Sequence, residues 1–340
     1  MPRVDLVFEG GGVKAIALVG ALAALREAGY EAVRVAGTSA GAIAAAFFVA
    51  GDEPEALRDA LLDFSFARLR DAGWEDRLPV VGPLLSLALD FGLYEGRALE
   101  AWVRSRLEAR GVRTFGDLPW FEGDCRLQVV VSDVTGRRLL LLPRDAAWLG
   151  VSPRELDVAH VVRASASIPL YFEPVRWHNP ATGREHLLVD GGLLSNFPVW
   201  AFDAPGLPRW PTFGLLLVED SPRDSLGAEL GPPPASPNVL AYLQDLVRTS
   251  LEARDRRYLE SADFVRTIAM PTLGVGTTEF DLPREKALAL YESGVQAARK
   301  FLSSWDFEGY VQAFRRELPP TRRELLRRHM AEVRDEDAQI

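Results

Sequence analysis

Val33-Arg34-Val35-Ala36-Gly37-Thr38-Ser39-Ala40-Gly41-Ala42-Ile43-Ala44-Ala45-Ala46 decides how this chain is read. Val33 to Ala36 has the β-branched character of a short buried strand. Gly37-Thr38-Ser39-Ala40-Gly41 is a Gly-x-Ser-x-Gly turn, and the alanine-rich run from Ala42 to about Val49 reads as a helix. A strand, a tight turn and a helix in that order are the setting of a nucleophile elbow. The small residues Gly37 and Gly41 let strand and helix approach closely. Ser39 then stands at a helix N-terminus, where backbone N–H groups and the helix dipole favour developing negative charge. The bland alternative is an ordinary Ser/Gly-rich loop, and the pentapeptide alone does not choose between them.

Upstream, the apolar run 4–8 ends at Gly10-Gly11-Gly12 and is followed over 13–27 by apolar residues at helical spacing, with Gly29 as a stop. Strand, glycine loop, helix, strand, elbow, helix is the alternation of a parallel α/β sheet. In such sheets ligands gather outside the carboxyl ends of the strands, where both glycine turns fall. Three consecutive glycines present backbone N–H groups without Cβ obstruction. With the N–H of Ala40, the residue after the serine, Gly10, Gly11 and Gly12 form a candidate oxyanion hole. The same loop fits a dinucleotide fingerprint, Gly10-x-Gly12-x-x-Ala15, with Glu31 near the spacing of a ribose-binding acid. Taken alone, the two readings are close. A phosphate-binding P-loop is excluded, because the Gly-Lys-Ser/Thr ending is missing.

Downstream, the strand pattern 186–189 runs into Asp190-Gly191-Gly192, which places a carboxylate on the same rim of the sheet as the elbow. In isolation Asp190 is equally a turn aspartate satisfying local amides. The histidines are His160, His178, His186 and His329, and none sits in a glycine-flanked loop after a strand. His186 lies four residues before Asp190, roughly 13 Å along a strand, and cannot orient against it. A serine–aspartate dyad is therefore simpler than a triad. A carboxylate is a weak base for an alcohol, so Asp190 needs its pKa raised by desolvation.

Length and composition bound the rest. At 340 residues the chain can bury one large core or two modest ones. A net charge of −9 argues against nucleic acid, which rewards a basic patch. Cys125 is the single cysteine, so an intrachain disulfide and a cysteine-based metal cluster are excluded. No signal-peptide pattern and no uninterrupted apolar run of about 18 residues is present, which makes the cytoplasm the expected location. Residues 52–118 read as mostly helical, with one helix over 96–110. Within them, 80–94 is apolar but too Pro/Gly-broken to span a bilayer, and reads either as a core helix or as a lid facing lipid. Further strands are expected over 126–132, 138–142, 213–219 and 264–270, with helices over 156–164, 240–259, 284–302 and beyond 306. The Pro/Gly/Ser-rich stretch 221–238 reads as a surface loop. No linker divides the chain into independent domains.

Together, Gly10-Gly11-Gly12-Val13-Lys14, Gly37-Thr38-Ser39-Ala40-Gly41 and Asp190-Gly191-Gly192 resemble the patatin-like phospholipase family. Ser165-Ala166-Ser167-Ile168-Pro169, Phe172-Glu173-Pro174 and Asn196-Phe197-Pro198-Val199 resemble further blocks of it, in the same order and rough separation. The resemblance spans about residues 4–202, and Ala15 stands where the family usually has another glycine. It implies a three-layer α/β/α sandwich with a mostly parallel central sheet, a helical insertion or lid over about 52–118, and C-terminal helices. Residues 1–205 would form the catalytic core and 206–340 the C-terminal part of the same domain. It also implies a Ser39–Asp190 dyad that hydrolyses esters of phospholipids, lysophospholipids or other lipids at a membrane or micelle surface, with no metal or other cofactor. Lys14 holds the loop or meets a head-group phosphate in that picture. The competing classes are a dinucleotide-binding protein using Gly10–Ala15 and a non-catalytic lipid-binding relative.

Overall fold

The protein is described by a computed structural model covering residues 1–63, 92–204, 206–219, 261–277, 279 and 282–315. Strand β1 (Arg3–Phe8) leads through a 3₁₀ turn over Gly12–Ala15 into helix α1 (Ile16–Glu27). Strand β2 (Glu31–Thr38), helix α2 (Ala40–Val49) and helix α3 (Pro54–Asp63) follow. Next come β3 (Gly92–Tyr94), α4 (Arg97–Glu108), a small hairpin of β4 (Trp120–Phe121) and β5 (Asp124–Cys125), then β6 (Leu127–Asp133) and β7 (Arg138–Leu142). Helix α5 (Val158–Ser165) precedes β8 (Leu170–Phe172), β9 (Val175–His178), β10 (Glu185–Asp190) and β11 (Thr212–Val218). Helix α6 (Ser261–Val265), β12 (Thr267–Pro271), α7 (Arg284–Leu302) and α8 (Phe307–Phe314) end the described chain.

The large sheet has the order β12-β11-β1-β2-β6-β10-β9, with β7 also on β6. Strands β12, β11, β1, β2 and β6 run parallel, whereas β7, β10 and β9 join by antiparallel pairing. Successive side chains of a strand point to opposite faces, and both faces are apolar here. Val4, Leu6 and Phe8 of β1 join a core with α1, α2, α5 and α7. Val7 of β1 joins a second core with Ala36, Val130, Leu141 and Leu216, covered by Phe197 and the 3₁₀ turn over Val199–Phe202. Burial on both faces gives these strands their continuous apolar runs rather than an alternating pattern.

Helix α1 lies against α7 with almost no space between backbones. A Cβ on Gly20 would come within 1.9 Å of Tyr291 O, and one on Gly294 within 1.9 Å of Ala17 O. The two glycines face each other's helix, which lets both helices settle onto the sheet.

Several boundaries differ from the sequence reading. Helix α2 begins at Ala40, directly on the serine. The stretch expected as one strand over 264–270 divides into α6 and β12. Arg266 is the cause: its buried guanidinium bonds both oxygens of Asp203, at 2.7 and 2.8 Å, and also Asp263. This anchor turns the chain and leaves Phe264 exposed. Of the apolar stretch 80–94, residues 92–94 form β3, pairing in parallel with β8 rather than continuing a helix. The remainder of that stretch, the loop 221–238, the helix 240–259 and the charged tail beyond 315 with His329 lie outside the described residues. No helix among the described residues is long and apolar enough to cross a membrane.

Candidate active site

Ser39 and Asp190 meet because of how two strands share one edge of a third. Strand β7 occupies one edge of β6 from Val129 to Asp133. On the other edge β2 pairs with the first half, ending with Thr38 opposite Val130, and β10 with the second half, ending with Asp190 opposite Val131. Because β2 is parallel and β10 antiparallel to β6, their carboxyl ends point at each other. Asp190 thus reaches the elbow from an antiparallel strand running head-on into β2, not from a neighbouring parallel strand of a common rim.

The contact is direct. Ser39 Oγ donates to Asp190 Oδ2 at 2.6 Å, and Gly192 N donates to Asp190 Oδ1 at 2.8 Å. Asp190 is 1% exposed. Burial in this apolar setting lifts its pKa to about 7, against the opposing pull of the hydrogen bonds from Ser39 and Gly192. Ser39 has φ 54° and ψ −126°, a left-handed conformation uncommon outside glycine. Its cost is on the order of 1–3 kcal/mol and is held by the surroundings. The serine N–H donates to Ser165 Oγ at 2.9 Å, and that hydroxyl donates to Val130 O at 2.7 Å. Gly37 and Gly41 allow the turn: a Cβ on Gly37 would lie 2.6 Å from Gly41 O, and one on Gly41 2.3 Å from Glu9 O.

The glycine loop lies over the serine. A Cβ on Gly10 would come 3.2 Å from Ser39 Cβ. Among the described residues the N–H groups of Gly11, Gly12 and Ala40 have no acceptor in the chain. Gly10 is different, and its expected role as a donor is corrected. Its N–H is engaged by Asn196 O at 3.1 Å. Asn196 Nδ2 in turn donates to Gly10 O at 3.0 Å and to Glu9 Oε1 at 3.2 Å, while Leu217 N donates to Glu9 Oε2 at 2.6 Å. Asn196 therefore holds Gly10 by both peptide groups. Lys14 is buried in the 3₁₀ turn.

Sequence reasoning gave Ser165, Asn196 and Glu9 no task. Ser165 and Asn196 open the segments 165–169 and 196–199, but which backbone group each satisfies depends on chain segments far away. Two of the described histidines are paired with carboxylates other than Asp190. His186 Nδ1 pairs with buried Asp133 at 2.8 Å, and His160 Nδ1 with Glu100 at 3.2 Å. Glu31, the expected ribose-binding acid, opens β2 at the end of the sheet opposite the glycine loop and lies 3.8 Å from Arg3. That removes the second half of a dinucleotide site. Among the described residues, no group of three or more His, Cys, Asp or Glu side chains is placed to hold a metal ion.

The chain is 37% identical over 317 residues to the uncharacterized protein YqhO of Bacillus subtilis, covering 89% of this chain and 99% of that one. It is 28% identical over 197 residues to patatin-like phospholipase domain-containing protein 7 of Rattus norvegicus, covering 57% of this chain but 12% of that larger protein. Among solved structures, VipD from Legionella pneumophila superposes with a TM-score of 0.52 at 17% identity, over 89% of this chain and 67% of VipD. That likeness establishes the α/β fold with its mostly parallel central sheet. The sequence model of the patatin-like phospholipase family matches residues 6–203, which takes in the glycine loop, the elbow and Asp190, and the chain belongs to that family.

Proposed function

We propose that the protein is a serine hydrolase of lipid carboxylic esters. One observation carries the reading: a serine in strained left-handed geometry at a helix N-terminus donates a 2.6 Å hydrogen bond to a buried carboxylate whose pKa is near 7. A base poised near the working pH is what general-base catalysis requires. Family membership supports a lipid ester as substrate.

In this mechanism Asp190 takes the Ser39 proton as Oγ attacks the ester carbonyl. The tetrahedral oxyanion is met by the N–H groups of Gly11, Gly12 and Ala40. Asp190 then gives its proton to the departing alcohol oxygen, leaving an acyl-Ser39 ester. A water molecule, losing a proton to Asp190, attacks that ester, and Ser39 leaves with the proton as the free acid departs. The positive end of α2 and the unpaired N–H groups supply the electrostatic stabilisation, which typically amounts to roughly 10²–10³ in turnover per donor. Asn196 and Ser165 act through the backbone: one fixes the glycine loop, the other keeps the Ser39 N–H occupied so that Ala40 faces the oxyanion. Lys14 supports the loop or pairs with a head-group phosphate.

The test is hydrolysis of short-chain nitrophenyl esters and of phosphatidylcholine in mixed micelles. Ser39→Ala should lose all turnover above background while retaining its circular dichroism spectrum. Undiminished hydrolysis by that variant would refute the mechanism.

A further inference from the structure

A cavity of about 250 Å³ opens between α1, α2, α3, α4 and α7. Its lining includes both Gly12 and Ala40, two of the residues whose N–H groups are assigned to the oxyanion. Apolar side chains make up much of the rest: Ile43 from α2, Leu61 and Leu62 from α3 and Trp102 from α4 form its walls. Among the described residues Arg284 is the one charged lining residue; it is largely exposed and pairs with exposed Asp63 at 3.4 Å, at the outer end of the described lining. A carbonyl oxygen held between Gly12 and Ala40 fixes the ester carbon beside Ser39. One substituent of that carbon can then enter the cavity along the Ile43, Leu61, Leu62 and Trp102 side chains.

We propose that this cavity is the acyl-chain site and that it measures chain length. The proposal rests on the hydrolase reading above and deepens it, since it names which part of the ester lies where. At about 30 Å³ for each water-sized group, the space holds roughly eight methylenes. The preferred substrates are therefore esters of medium-chain acids, or longer chains whose distal carbons emerge past Arg284. Specificity comes from Leu62 and Trp102, whose side chains set the width, and not from residues of the dyad. Each methylene moved from water into this site should raise kcat/KM about fourfold, until the cavity is full.

The experiment is a series of p-nitrophenyl esters from acetate to palmitate, with kcat/KM plotted against chain length. The wild-type plot should climb steeply and break near eight to ten carbons. Leu62→Trp takes up roughly two methylenes' worth of space and should move the break about two carbons shorter. Trp102→Leu should move it about two carbons longer. Leu62 is half-buried at the cavity wall, so its variant tests the proposal even if removing Trp102 prevents folding. A break that stays at the wild-type length in a folded Leu62→Trp protein overturns the acyl-site assignment while leaving the hydrolase intact. Absence of turnover on every ester, together with no fluorophosphonate adduct at Ser39 in folded wild type, overturns the hydrolase reading and this assignment with it.

Discussion

Asp190 carries two opposing demands in one side chain. Burial that raises its pKa to about 7 makes it a usable base, and the same burial costs stability whenever the carboxylate is charged. The native state binds the proton more tightly than the unfolded chain, whose aspartate titrates near 3.8. Stability therefore falls as pH rises from about 4 to about 7 and is flat, with respect to this group, above that. The loss is on the order of a few kcal/mol. Two outcomes follow. The kcat/KM of the free enzyme should rise with pH through about 7 and level off above it, measured with a neutral ester. Asp190→Asn should cut kcat/KM by at least about 10²-fold, yet its melting temperature relative to wild type should be highest at pH 8 and decline toward pH 5. A constant difference across that range would show that Asp190 does not carry the buried charge. Ser165 gives a third outcome at this scale. Ser165→Ala leaves the Ser39 N–H and the Val130 carbonyl without a partner inside the protein, which should lower the unfolding free energy by about 1–3 kcal/mol and slow acylation.

At the scale of elements, the backbone contact of α1 with α7 is the tightest constraint. Gly20→Ala or Gly294→Ala puts a Cβ into a backbone carbonyl of the other helix. Either should destabilise the protein by about 1–3 kcal/mol or more in urea denaturation, because a packed interface must move apart. An unchanged midpoint would mean that the helices do not cross so closely. The same elements show what a linear sequence conveys. The glycine turns, the elbow and the strands beside them are local patterns of spacing and side-chain type, so Ser39, Gly37 and Gly41 were legible, as was α7 over its whole length. Asp190 was legible as a strand-end carboxylate and, for want of a suitably placed histidine, as the expected base, but not how it reaches the serine. Its pairing with a serine 151 positions away depends on β2 and β10 meeting head-on along β6, an arrangement that neither strand encodes alone. The engaged N–H of Gly10 and the division of 264–270 were hidden for the same reason. Each is decided by a distant partner, Asn196 in one case and Asp203 in the other.

Across the whole molecule, the family match ends at residue 203 but the sheet does not. Strand β11 pairs with β1 along Asp5–Phe8, and β12 pairs with β11 in turn. A fragment ending at residue 205 would bare the inner edge of β1 and the apolar face that α7 covers. An open, apolar strand edge is a template for aggregation. Such a fragment should be insoluble or lack a cooperative unfolding transition; a folded, soluble one would show that the C-terminal part is separable. The central claim is that Ser39 is an activated nucleophile with Asp190 as its base. It is tested most directly by treating wild type, Ser39→Ala and Asp190→Asn with a fluorophosphonate probe and locating the adduct by peptide mass. The account predicts one adduct, on Ser39 of wild type, absent in Ser39→Ala and formed far more slowly in Asp190→Asn. Labelling of Ser39 at the same rate in Asp190→Asn, or an adduct on another residue, would contradict it.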